Sequence, residues 1–142
     1  MKTFIGSKII NAKPMTLGEY NAYRGWTAPE GEAQNVDGYL VEYTDGGAPN
    51  TPDYAGYVSW TPEAQFDGAY VEIPQDTAGL APHQLRVVAE RAALDDKLRK
   101  LIKFSTGPVF AALDENERNR LTAQAGAMAM YSFALGERIA AF

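Results

Sequence analysis

The chain has 142 residues, 46% of them apolar, a formal charge of −5, no cysteine and one histidine, His83. This composition suits one compact domain or two small cooperating ones, and it removes disulfides, thiolate metal sites, cysteine nucleophiles and most zinc or general-base schemes. The negative balance argues against a sequence-independent grip on a nucleic acid polymer, no apolar run is long enough for a membrane, and Met1 to Gly6 lacks the apolar core of a secretory signal, so the cytoplasm is the expected compartment.

In chain order, residues 1 to about 73 have a β-type texture, holding both tryptophans and every tyrosine except Tyr131. Phe4 to Ile10 reads as a first strand, Gly38 to Tyr43 as a second, Gly56 to Trp60 as a third and Ala69 to Ile73 as a fourth. Between the first two, Thr16-Leu-Gly-Glu19 has the spacing of a helix capping box, and Gly25 and Pro29 break the segment before the second strand. Asp45-Gly46-Gly47, followed by Pro49 and Asn50, is the turn chemistry that joins the second strand to the third. Thr61-Pro62-Glu63 opens like a second short helix with proline at its first position, and both short helices are expected to pack on the sheet. Pro74 to Ala81, with Gly79 inside it, reads as a linker.

From Pro82 onward the pattern changes to two amphipathic helices. Val87, Val88, Leu94, Leu98, Leu101 and Ile102 recur at near-heptad spacing in the first, and Leu121, Met128, Tyr131, Leu135 and Ile139 in the second. The first helix is expected to stop near Phe104, at Ser105-Thr106-Gly107-Pro108, and the second to begin at Asp114, where Glu115 and Glu117 complement a helix amino terminus, and to run to the chain end. The expected architecture is α+β: an antiparallel β module over 1–73, a linker over 74–81 and an antiparallel helical hairpin over 82–142. Two such stripes cover each other only in part, so the hairpin is expected to self-associate. The small residues around Gly126 predict close helix approach there, within the hairpin or between subunits.

Catalytic groups are hard to assemble. Ser7, Ser59, Ser105 and Ser132 have only His83 to recruit as a base, and His83 is most simply a residue of a helix start. Neighbouring carboxylates such as Asp95/Asp96 and Glu115/Glu117 read as a solvated face, and no dinucleotide or P-loop fingerprint is present. Anion binding fits better. Lys97, Arg99 and Lys100 suit helical ion pairs, whereas Arg86 and Arg138 lie beside the apolar stripes, where a guanidinium needs a counter-charge. Lys103-Phe104-Ser105-Thr106 combines a cation, a ring and two hydroxyls beside the second helix's amino terminus, where backbone amides favour an anion; Phe104 either stacks on a ligand or belongs to the core. Gln124 is either a buried register-setting residue or a ligand contact, and the aromatic set of the amino-terminal half is either sheet packing or a platform for a partner.

The hairpin sequence, with Pro82, Arg86, Glu90, Leu94, Lys97 and Leu101 in its first helix and Leu121, Gln124, Met128, Tyr131, Leu135, Arg138 and Ile139 in its second, resembles the helical hairpin shared by two kinds of phage anti-defence sponge, against Thoeris and against CBASS. The front half, with Glu19-Tyr20, Tyr23-Arg24-Gly25-Trp26, Gly38 to Tyr43 and Gly56 to Pro62, is similar to a small β module found ahead of several phage domains. The order of the two resembles the first described type of Thoeris anti-defence protein. The resemblance implies a cytoplasmic, non-enzymatic homo-oligomer, a hexamer in the family, that needs no cofactor. It would sequester cyclic nucleotide signals, either the cyclic ADP-ribose isomers made by TIR enzymes or cyclic di- and trinucleotides, without cleaving them. The residues that suit such a ligand here are Arg86, Lys103, Phe104, Ser105, Thr106, Asn116 and Arg120. A protein-interaction adaptor with no small-molecule ligand is the alternative, and an enzyme acting on such nucleotides is a third.

Overall fold

A computed structural model describes residues 1–3, 5–73 and 76–142; Phe4, where the first strand was expected to start, and Pro74 and Gln75, where the linker was expected to start, lie outside the described residues. The chain is α+β and divides into two compact units, Met1–Tyr70 and Val71–Phe142.

The amino-terminal unit is a three-stranded antiparallel sheet in the order β1 (Ile10–Pro14), β2 (Gly38–Tyr43), β3 (Tyr57–Pro62), with α1 (Leu17–Arg24) and α2 (Glu63–Ala69) packed on it. The second strand is where the sequence places it. The first is not: Ile10, the last residue of the expected strand, is the first of the observed one. The register explains this, because Ile10 pairs with Tyr43 at the end of β2, so residues 5–9 have no partner strand among the described residues. The expected fourth strand is absent among the described residues. Ala69 closes α2, and Tyr70 turns its ring onto Phe66, 4.9 Å between centroids, rather than pairing along β3.

Helix α1 starts as its capping box dictates: the Glu19 amide donates to the Thr16 hydroxyl and the Thr16 amide to the Glu19 carboxylate. It ends at Gly25, whose φ of 67° is the left-handed turn that glycine takes without a Cβ penalty. Pro62 sits at the N-cap of α2, one position before the expected first turn. Tyr20, Leu40 and Val58 form the core between α1 and one sheet face, with Met15, Tyr23, Tyr54 and Trp60 around them. The other face carries Tyr39, which stacks on Phe66 at 4.0 Å between centroids.

The carboxy-terminal unit consists of α3 (Pro82–Ser105), the single turn α4 (Pro108–Ala111) and α5 (Glu115–Ala140). Pro82 occupies the first turn of α3, where its missing N–H costs nothing, and Asp114 caps α5 by accepting from the Glu117 amide. The expected Gly-Pro turn is therefore an ordered connection with a helical turn of its own. No helix among the described residues is long and apolar enough to cross a membrane.

Candidate functional site

The α3–α5 seam follows a strict alternation of three and four residues. On α5 it runs Leu121, Ala125, Met128, Ser132, Leu135, Ile139, all buried or half-buried. Ser132 thus takes the seam position expected for Tyr131, which is exposed. On α3 the matching row is Val88, Arg91, Asp95 and Leu98, so Asp95, expected on a solvated face, lies half-buried in the seam together with Arg91. They are used there. The Ser132 hydroxyl donates to the Asp95 carboxylate, and the Arg91 guanidinium lies 3.6 Å from Asp95 while covering Gly136, which has no side chain to displace it. These two contacts pair 95 with 132 and 91 with 136, which fixes the helices as antiparallel.

Around this seam the polar groups are settled by neighbours on the chain. The Tyr131 hydroxyl donates to Glu90 on α3, and that carboxylate, together with burial, holds the phenol proton on to a higher pH than usual. Lys100 and Arg99 pair with the buried Asp96 and hold its carboxyl below the ordinary aspartate value, against the opposing effect of burial. Arg86 and Arg138, expected to need a counter-charge beside the stripes, are exposed and form no ion pair among the described residues. Gln124 is exposed and its amide lies 3.9 Å from the Met128 sulfur, so within the chain it is not a buried register-setting residue. Among the described residues nothing beyond its own helix approaches within 4 Å of the Cβ position at Gly126, so the close contact expected there is not made inside the hairpin.

The helix junction gathers four of the seven candidate ligand contacts. Lys103, Phe104, Ser105 and Thr106 are all exposed in the last turn of α3 and just after it. The Phe104 ring packs against Phe110 in a T-shaped pair, 6.0 Å between centroids, and stays 40% exposed. The two hydroxyls spend their protons on the helix: Ser105 donates to the Ile102 carbonyl at 2.7 Å and Thr106 to the Lys103 carbonyl at 2.8 Å. Their lone pairs remain as acceptors, and Lys103 forms no ion pair among the described residues.

The other three candidates stand apart. Asn116 is exposed in the first turn of α5, and Arg120 is held by Glu117, with N···O distances of 2.6 and 2.8 Å. No hydrogen bond joins either residue to 103–106 among the described residues. Arg86 lies seventeen positions before Lys103 on one helix, a rise of about 25 Å at 1.5 Å per residue. The amino terminus of α5, expected to welcome an anion, is already capped by Asp114 and flanked by Glu115 and Glu117, which oppose further negative charge. The cationic and stacking character of the junction therefore rests on Lys103 and Phe104.

A second group of residues, overlooked by reading the charges as a solvated face, is Arg91, Asp95, Ser132 and Gly136. The available signal was their spacing: Arg91 and Asp95 fall between Val88 and Leu98 at three- and four-residue steps, as Ser132 falls between Met128 and Leu135.

Among the described residues, no cluster of three or more histidine, cysteine or carboxylate side chains has the arrangement of a metal site. No curated protein matches the chain, and no solved structure does. The helical unit does find a counterpart: residues 81–141, which take in α3, α4 and all of α5, match the Sequestin family model.

Proposed function

We propose that the protein is a sponge, binding a cyclic nucleotide immune signal in the cytoplasm of an infected bacterium and holding it without chemical change. The match of residues 81–141 to the Sequestin family carries this reading, since sequestration asks for affinity without turnover. A chain with no cysteine and a single histidine at a helix start suits that role. The cyclic ADP-ribose isomers made by TIR enzymes are the ligands that the resemblance to Thoeris anti-defence proteins favours, with cyclic di- and trinucleotides as further members of the class.

The working form is a homo-oligomer, a hexamer by the same resemblance. Met130 and Phe133 on α5 are 76% and 70% exposed, more apolar surface than an isolated helix pair would keep in water. At the junction, Lys103 supplies the phosphate contact and Phe104 the stacking face. The same exposed face supports a second reading, an adaptor that docks a protein and takes no small molecule.

The decisive experiment heats the purified protein and identifies by mass spectrometry what it releases. An intact cyclic nucleotide is the expected result, and a linearised product after prolonged incubation with stoichiometric protein would instead indicate an enzyme. Titration with a panel of cyclic nucleotides separates sponge from adaptor. Lys103→Ala should cost about 1.5–3 kcal/mol of binding and loss of the Phe104 ring about 1–3 kcal/mol. Unchanged affinity in Lys103→Ala, with a destabilised Phe104→Ala, would remove the junction site.

A further inference from the structure

The amino-terminal unit carries a cleft of about 370 Å³ between α1 and the free edge of β3, lined by Leu17, Tyr20, Asn21, Arg24 on the helix side and by Trp26, Tyr57, Ser59 and Trp60. Its volume falls in the range of small-molecule sites, about 300–1,000 Å³. None of the lining residues is acidic, although the chain as a whole is.

Arg24 is the cation of this cleft, and it is held in place without being neutralised. Its Nη1 donates to the Tyr20 hydroxyl at 3.0 Å, and the guanidinium carbon lies 4.6 Å from the centre of the Trp26 ring. Tyr20 is buried and its hydroxyl points on toward the Val58 carbonyl at 3.5 Å, so the phenol serves Arg24 as an acceptor. Among the described residues no carboxylate pairs with Arg24, which leaves most of its five N–H donors uncommitted on a half-buried, oriented fork. Trp26 and Tyr57 are 55% and 45% exposed at the same cleft, so ring surface is open to solvent there.

A docking peptide strand is excluded by the edge itself. The outward N–H and C=O of Val58 are both taken by the Asn50 side chain at 2.8 Å, and Pro62 has no N–H to give. Only Trp60 is left to pair, too little for strand addition.

We infer that this cleft is a second binding site, independent of the helical unit, for a small planar aromatic anion of about nucleoside monophosphate size, with its anionic group on Arg24 and its ring against Trp26 and Tyr57. A donor-rich, carboxylate-free pocket with exposed rings recognises that combination, whereas an inorganic anion would use only the arginine and a neutral ring only the aromatics.

Both tryptophans of the chain line the cleft, so intrinsic fluorescence reports on it directly. Adenosine monophosphate added to the full chain should change that fluorescence saturably, more tightly than adenosine or inorganic phosphate does. Arg24→Gln should weaken the response roughly ten- to hundredfold, the loss of a charge-assisted contact. Trp26→Leu, at an exposed position, should weaken it too while Trp60 still reports, and a melting curve checks that each variant folds. Lys103→Ala, in the other unit, should leave the response unchanged. No saturable change up to millimolar adenosine monophosphate, equal affinity in folded Arg24→Gln, or loss of the response in Lys103→Ala would each overturn the site.

Discussion

The two units settle their surfaces in opposite ways. In the amino-terminal unit, side chains return to the backbone at nearly every irregular point: Trp60 donates to the Met15 carbonyl, Glu42 accepts the Gly56 amide, Asn50 closes the edge of β3, and Thr16 and Glu19 cap α1. In the carboxy-terminal unit the backbone is already satisfied by the helices, and the side chains divide between one polar-studded seam and an outer surface that is charged along α3 but exposes Met130 and Phe133 on α5. The difference teaches that the sheet module is specified by side-chain hydrogen bonds to its backbone around a small core. The helix pair relies on a seam with few fully buried residues, Val88 and Leu135 among the apolar ones. If the proposed assembly holds, the second unit depends on protein concentration for its stability and the first does not.

The largest effects should come from the two small cores, where the comparison can be broken. Leu40 and Leu135 are 1% and 2% exposed, so replacing either by alanine should cost about 2–5 kcal/mol. Chemical denaturation followed at two protein concentrations tests the contrast: the midpoint of Leu40→Ala should not depend on concentration, whereas that of Leu135→Ala should rise with it if association supports the helix pair. The same independence of concentration in both would abolish the distinction. Next in size is Asn50→Ala, which leaves the outward N–H of the buried Val58 without its partner, at about 1–3 kcal/mol if water fails to reach it, while the Val58 carbonyl keeps the weaker approach of the Tyr20 hydroxyl at 3.5 Å. A melting-temperature change no larger than that of an ordinary surface substitution would show that water replaces the amide.

What was legible in the sequence follows the same division. Capping boxes, turn glycines and heptads are local signals, and the positions of β2, α1, α3 and α5 were readable from them. The errors fell where a distant partner decides. Residues 5–9 have strand composition but β2 ends too early to pair with them, and Ala69-Tyr70-Val71 reads as a strand although Phe66, four residues earlier than Tyr70, claims its ring. At the candidate site, the four consecutive residues of the junction were legible because their chemistry is contiguous. The pairing of Arg120 with Glu117 and the capping of α5 by Asp114 were readable in outline as acidic residues at a helix start, but their consequence, that the anion-favouring terminus is already occupied, appears only once the geometry is known.

Two glycines of α5 sharpen the comparison with smaller effects. At Gly126 nothing lies within 4 Å of a added Cβ, so Gly126→Ala should stabilise the helix by about 0.5–1 kcal/mol through the higher helix propensity of alanine. At Gly136 the guanidinium of Arg91 lies 3.1 Å from the same position and must shift, so the propensity gain is offset and Gly136→Ala should come out near zero or destabilising. If subunits approach through Gly126, the first substitution raises the stability of the isolated chain while weakening assembly, a split that melting curves and light scattering resolve together. A gain in both would place the assembly contact elsewhere on α5.

The smallest expected effect is the acid limb of the helical unit. Lys100 and Arg99 depress the Asp96 carboxyl below its ordinary value of about 3.9, although burial opposes them. A carboxyl whose folded value is depressed contributes stability that is complete above the unfolded value and is lost as pH falls through the folded one. The window therefore lies below about pH 4, and the contribution is small because both cations are largely exposed and pair within one helix. Asp96→Asn removes the titrating group while keeping its shape, so its stability should fall less steeply with acid over that window than the parent's does. The two curves should be parallel above about pH 5, where the parent's aspartate is ionised in both states. Identical slopes below pH 4 would mean that the Asp96 cluster adds nothing to acid resistance. Its near-complete burial would then be a matter of packing alone.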